Sequence, residues 1–136
     1  MGVTLLADTG ALLAFLLKRD QHHGAAVRFL QQQPTARFVT SDLILSELVT
    51  RIRARSSAAQ AAAVGRSLFD SRRVSLVFVD APLVHAALAR MEQYGDTRLS
   101  LTDCTSFALV DRLGLDGAFT FDRDFRDCGY QSYPEI

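Results

Sequence analysis

Val3-Thr4-Leu5-Leu6-Ala7-Asp8-Thr9 is an apolar run of β-forming residues that stops at a carboxylate, with a helix-like stretch directly behind it. Ala118-Phe119-Thr120-Phe121-Asp122-Arg123-Asp124-Phe125 repeats the arrangement near the other end of the chain. In open α/β sheets, ligands bind outside the carboxyl ends of the strands. Both carboxylates fall at that edge. Two further acids, Glu47 and Asp103, lie early in helix-like segments and can reach the same place. Carboxylates gathered without basic partners repel one another and take up protons unless a cation neutralises them. The four together read first as a site for a hard metal ion.

Between these runs the apolar periodicity switches repeatedly from strand to helix, the mark of alternating β and α units. Strands are predicted over residues 3–7, 37–40, 74–79 and 117–121, with a short one within 130–133. Helices are predicted over residues 9–18, 23–32, 57–69 and 83–94, from Ser41 or Asp42 through Ile52, and from a hydroxyl-capped turn at Ser100 to Thr102 as far as Leu113. The first of these carries Leu12, Leu13, Phe15, Leu16 and Leu17, too many apolar positions for a surface helix, so it packs deeply. Asp80 reads as a helix cap, with Pro82 in the first turn where its missing N–H costs nothing. The expected architecture is a β/α sandwich whose mainly parallel central sheet is flanked by helices, with residues 1–136 as one domain.

The chain has 136 residues, 49% of them apolar. A domain of this size buries roughly 68–70% of the surface its unfolded form exposes, so neither a disulfide nor a structural metal is needed to hold it folded. The two cysteines, Cys104 and Cys128, form no CxxC pair and read as reduced packing residues in a reducing compartment. Residues 1–17 are rather apolar, but Asp8 interrupts them, no basic start precedes them, and they are too short for a membrane span. A cytoplasmic protein is expected. Fifteen basic residues balance fifteen acidic ones, so no global field draws the chain to nucleic acid or membrane, and any such attraction must be local. The bases are nearly all arginine, which suits phosphate binding, although the joint Arg and Ala excess is more simply the sign of a GC-rich genome.

Each carboxylate also has an innocent explanation. An Asp at a strand end or in a first helical turn often only caps an N–H or complements the helix dipole, worth roughly 0.5–2 kcal/mol. Glu47 and Arg51 have the spacing of an ordinary i,i+4 surface pair. The set says more than its members, because Glu47 sits beside Leu48 on a helix that must pack on the sheet, where a purely solvated role is uncomfortable. His22 and His23 are adjacent, face different directions on a helix, and read as helix-start residues. Asp42, Asp70, Asp96, Asp111, Asp116 and Asp127 read as caps and turn residues.

Ala7-Asp8-Thr9, Ser46-Glu47-Leu48, Leu101-Thr102-Asp103-Cys104 with Ala108 behind, and Thr120-Phe121-Asp122-Arg123-Asp124-Phe125 resemble, in order, spacing and total length, the motifs of a PIN domain, specifically of VapC-type toxin ribonucleases from type II toxin–antitoxin systems. Each motif is short, but the ordered series is specific and the similarity covers nearly the whole chain. The resemblance implies a PIN-like α/β/α sandwich and a Mg²⁺- or Mn²⁺-dependent endoribonuclease. Its acidic quartet maps onto Asp8, Glu47, Asp103 and Asp122, with Asp8, Asp103 and Asp122 as metal ligands. Glu47 is left to position or deprotonate the attacking water or to bind a second ion. Thr120 matches a hydroxyl that holds the carboxylates in place, and Asp124 is a secondary acidic position. Oxygen donors without nearby His or Cys suit Mg²⁺ or Mn²⁺ rather than zinc, and such an ion activates water for in-line attack at phosphorus. The products implied carry a 5′-phosphate and a 3′-hydroxyl.

The implied partners are an RNA substrate, a VapB-type antitoxin that wraps the toxin over the helices near residues 9–18 and 41–55, and a second copy in a homodimer. Arg51 and Arg55 follow Glu47 at i+4 and i+8 and are candidates to touch RNA phosphates or antitoxin at the rim. Two other readings compete. A phosphatase with an Asp nucleophile needs a second Asp two residues on, where this chain has Gly10. A non-catalytic PIN-like module that binds protein or RNA is opposed by the intact quartet.

Overall fold

β1 (Thr4–Ala7) ends because Asp8, extended at φ −86° and ψ 169°, turns the chain and caps α1 (Thr9–Leu16), its carboxylate accepting the Ala11 N–H at 2.8 Å. The same device recurs along the chain. Ser41 caps α3 (Asp42–Arg55) directly after β2 (Arg37–Ser41), and Ser57 caps α4 (Ala58–Asp70). Asp80 caps α5 (Ala81–Gln93) after β3 (Val74–Val77). A capping side chain satisfies one of the four N–H groups that a helix start leaves unpaired, so each strand-to-helix junction is written into the sequence by its Ser or Asp. α2 (His23–Gln32) lies between α1 and β2, α6 (Leu101–Leu113) follows α5, and β4 (Gly117–Phe119), α7 (Arg123–Asp127) and β5 (Ser132–Tyr133) complete the computed structural model, which describes residues 2–135.

The sheet runs β3-β2-β1-β4-β5 and all four pairings are parallel. Parallel strands require crossovers, and right-handed crossovers put the helices of β1→β2→β3 on one face and those of β3→β4→β5 on the other. The contacts agree, since α1 packs on α2 and α3, α3 on α4, and α5 on α6. The strand order reverses between β1 and β4. Their carboxyl ends therefore open a crevice at the point where the two helical layers part.

The core is built from β1, β4 and α6. Leu5, Leu6 and Ala7 are fully buried, and α6 is buried without a break from Cys104 to Val110. Phe107, Phe119 and Phe125 are the largest side chains enclosed. Truncating such a side chain costs about 3–5 kcal/mol through lost transfer energy and the cavity left behind. α6 ends at Gly114, whose φ of 61° is the left-handed conformation glycine reaches without a Cβ penalty. Both cysteines are free.

Several boundaries differ from the sequence expectation for local reasons. α1 stops at Leu16 rather than Lys18 because Leu17 leaves the helix to close its last turn on Leu13. β3 ends at Val77, and the Val79 N–H is taken by the Asp42 carboxylate instead of a neighbouring strand. β4 stops at Phe119, which frees Thr120 and Phe121 to face the crevice. The five-residue α7 has no periodicity long enough to be read from sequence.

Candidate active site

The crevice between β1 and β4 holds a cavity of about 470 Å³ whose lining includes Asp8, Glu47, Asp103 and Asp122. Four different elements supply the four carboxylates. Asp8 leaves β1 as the cap of α1, and Asp122 leaves β4 as the cap of α7, its Oδ1 accepting the Asp124 N–H at 2.9 Å. Glu47 projects from the second turn of α3. Asp103 is the third residue of α6 and forms a reciprocal capping box with Ser100: each backbone N–H donates to the other's side chain at 3.1 Å. The innocent roles foreseen for these acids are thus real, and they coexist with convergence, because capping fixes a carboxylate at a helix start and the sheet topology aims the helix starts at one crevice.

Hydroxyls pin the carboxylates. Thr120, only 1% exposed, donates its hydroxyl to Asp8 Oδ2 and accepts the Asp122 N–H at 3.0 Å, so one side chain ties the two strand-end acids together. Thr9 donates to Glu47 Oε1 at 2.8 Å. Thr9 was quoted in the sequence motif but given no role; its signal was a hydroxyl directly after the first carboxylate. Asp124 is exposed beside Asp122. Arg51 lines the cavity, one turn beyond Glu47, whereas Arg55 is exposed at the end of α3 and outside the lining.

The electrostatics are those of acids crowded without counter-charge. Asp8 is pushed from 3.8 to about 6, first by burial and then by the negative charges of Asp122 and Asp103, against the lowering effect of the bonds from Thr120 and Ala11. Burial also pushes Asp103 up, assisted by Asp122 and Glu47. Asp124 moves the same way, by burial and by Asp122 and Asp103. Among the described residues the ion pairs are Arg90–Asp111 and Arg112–Asp80, both on the α5–α6 side, so no arginine neutralises the quartet. Asp80 is the helix cap read from sequence, whereas Asp111 lies inside α6 paired with Arg90, and Asp42 and Asp116 accept the Val79 and Thr4 N–H groups rather than capping a helix.

The donor set fits a hard divalent cation. It is all oxygen, negatively charged and unpaired, and two of its members are held above their ordinary protonation range by one another and by burial. Among the described residues no three His, Cys, Asp or Glu side chains close on a common point as a finished cage.

A second concavity, apolar and about 320 Å³, lies between α1 and α4, lined by Leu12, Phe15, Leu16, Val64 and Leu68 among others. It brings no convergent polar groups and has no chemistry of its own. α4 packs on α3 where Gly65 faces Val49 and Leu45, and Arg51, Arg53 and Arg55 of α3 stay exposed.

The fold is an all-parallel sheet with a carboxylate cluster at its switch point, backed by hydroxyls and forming no ion pair among the described residues. The chain belongs to the PIN domain family, whose model matches residues 5–129. It is 31% identical over 126 residues to the 23S rRNA-specific endonuclease VapC20 of Mycobacterium tuberculosis, covering 93% of this chain and 95% of that protein. The crystal structure of VapC20, titled a sarcin–ricin loop cleaving toxin, superposes with a TM-score of 0.85 at 28% identity over 93% of this chain and 96% of that one. A toxin–antitoxin complex from Klebsiella pneumoniae shares the fold at a TM-score of 0.66 and 15% identity, covering 89% of this chain and 88% of that one.

Proposed function

We propose that the chain is a VapC-type toxin, a divalent-cation-dependent endoribonuclease acting in the cytoplasm and restrained by a VapB-type antitoxin. The observation that carries this is the convergence of Asp8, Glu47, Asp103 and Asp122 on one cavity, where among the described residues no arginine forms an ion pair with them, in a chain similar over nearly its whole length to an rRNA endonuclease. Asp8, Asp103 and Asp122 would hold Mg²⁺ or Mn²⁺. Bound there, the cation supplies Lewis acidity toward the phosphodiester and offsets the repulsion among the carboxylates.

The protein's own groups do the rest. Thr120 keeps Asp8 and Asp122 in register, and the Ser100 box keeps Asp103 on its side of the cavity. Thr9 engages Glu47 Oε1, which leaves Oε2 to orient the attacking water or take its proton. Arg51 at the rim meets a backbone phosphate. The apolar groove between α1 and α4 is where an antitoxin segment would lie. The target named for the relative, 23S rRNA, is the first substrate to try.

The test is cleavage of purified ribosomal RNA and of total RNA by the protein freed of antitoxin, with Mg²⁺ or Mn²⁺ and with EDTA. Discrete cleavage that EDTA abolishes and Mn²⁺ restores is expected. Cleavage indifferent to chelator rejects the metal reading, and no cleavage with any divalent ion supports instead the non-catalytic module.

A further inference from the structure

His22 and Phe121 stack face to face at the mouth of the acidic cavity, ring centroids 4.5 Å apart and planes 2° from parallel. They come from opposite ends of the chain, His22 from the connection between α1 and α2 and Phe121 from the connection between β4 and α7. The His22 ring is not committed elsewhere. His22 occupies the cap position of α2 but makes no side-chain capping bond there, so the helix-start role read from sequence belongs to its backbone alone. Among the described residues Phe121 is the one aromatic neighbour of the His22 ring.

The support beneath this pair is rigid. Phe121 meets the buried Phe119 edge-on at 6.1 Å, so the stack is anchored in the core and runs outward to half-exposed His22. The loop carrying His22 is fixed on both sides: Asp20 accepts the His22 N–H at 2.8 Å, and the ring of the next residue, His23, bonds the Ala14 carbonyl at 2.8 Å. A flat aromatic surface held this way loses little entropy when a third ring is laid on it. It stands one residue from Asp122 and lines the cavity that contains the quartet.

We propose that the His22–Phe121 stack is a platform for an unpaired nucleobase next to the cleaved phosphate. It splays a looped-out RNA strand so that its backbone enters the acidic cavity. The inference rests on the ribonuclease reading and deepens it by naming the two side chains that hold an unpaired base beside the cleaved bond. Proteins that hold unpaired strands do so by base–aromatic stacking, which tolerates any base because every base has a π-face. The platform therefore supplies position and strand character, while sequence choice lies elsewhere.

The experiment is a cycle between ring and base. Short RNA oligonucleotides spanning a mapped cleavage site, each carrying one abasic position, are tested for cleavage and for binding in EDTA against wild-type protein and the His22→Leu and His22→Tyr variants, with thermal melting to verify folding. In wild-type, one abasic position beside the cleaved bond is expected to weaken binding about 5- to 100-fold, the range of one base–aromatic stack. His22→Leu should lose about as much on intact RNA and nothing further at that abasic position, and His22→Tyr should restore the difference. If His22→Leu and wild-type respond alike to every abasic position, the stack only ties two loops together and the platform is overturned. If wild-type protein cleaves no RNA with any divalent ion, the ribonuclease reading itself fails, and the two failures are distinct.

Discussion

Replacing Asp8 with Asn should make the protein more stable while abolishing RNA cleavage. In the fold the Asp8 carboxyl titrates near 6 rather than 3.8, so an unfolded chain gives up its proton more readily than the native one. Native stability from this group is fully present below 3.8 and is lost as pH rises through 6. The rise from 3.8 to about 6 corresponds to about 3 kcal/mol at pH 8. Two effects reduce it. The edge of Asp8 facing the cavity keeps some solvent, and an Asn amide must donate to Thr120 where the carboxylate now accepts. About 1–2 kcal/mol of net gain is left, or about 3–8 °C in melting temperature for a chain of this size. The assay is thermal unfolding of both proteins in EDTA at pH 8 and again near pH 4. The variant should melt higher at pH 8, with the gap closing at the acid end. Millimolar Mg²⁺ should raise the wild-type melting point more than the variant's, because the ion stabilises whichever native state binds it. A variant that melts no higher at pH 8, or a gap independent of pH, refutes the idea that crowded, buried charge at Asp8 strains the unliganded site.

Other expectations follow from individual contacts. Thr120→Val removes the hydroxyl joining Asp8 and the Asp122 N–H; it should cost about 1–3 kcal/mol in denaturant melts and lower kcat more than it raises KM. Thr9→Val frees Glu47 and should reduce kcat without shifting the melting temperature by more than a few degrees, as read by single-turnover cleavage. Charge reversal of Arg51 together with Arg55 should weaken binding of RNA or antitoxin and flatten its salt dependence, and unchanged affinity for both in a titration removes them from the interface. Gly114→Ala forces a Cβ into a left-handed backbone at φ 61° and should cost about 1 kcal/mol by equilibrium unfolding with activity preserved.

What sequence made legible here is what depends on short-range chemistry. Asp80, and Ser41 read with Asp42 as its alternative, marked helix starts that the structure reproduces closely, and the apolar run ending at Asp8 placed that carboxylate directly after β1, whereas Asp122 lies three residues beyond the end of β4. Partnerships across the fold were less accessible. The carboxylate-holding role of Thr120 came only from the family resemblance, and that Thr9 serves Glu47, 38 residues away, depends on how the elements align, which no local pattern encodes. The stack of His22 on Phe121 was invisible for the same reason, since two loop residues with no periodicity meet only once β4 lies beside β1. Amphipathicity likewise tells which face of α3 is covered, not that α4 is the element that covers it.

The insertion of β4 beside β1 sets a timetable for synthesis. Asp8 and its hydroxyl clamp at Thr120 are 112 residues apart, and Asp122 follows still later. A nascent chain leaving the ribosome has the first half of the sheet available, yet lacks Asp103 and Asp122 until its final stretch emerges and slots against the oldest strand. Hydrolytic competence therefore arrives late and all at once. Closure of the crevice is thereby tied to the last strand-to-helix junction to be made.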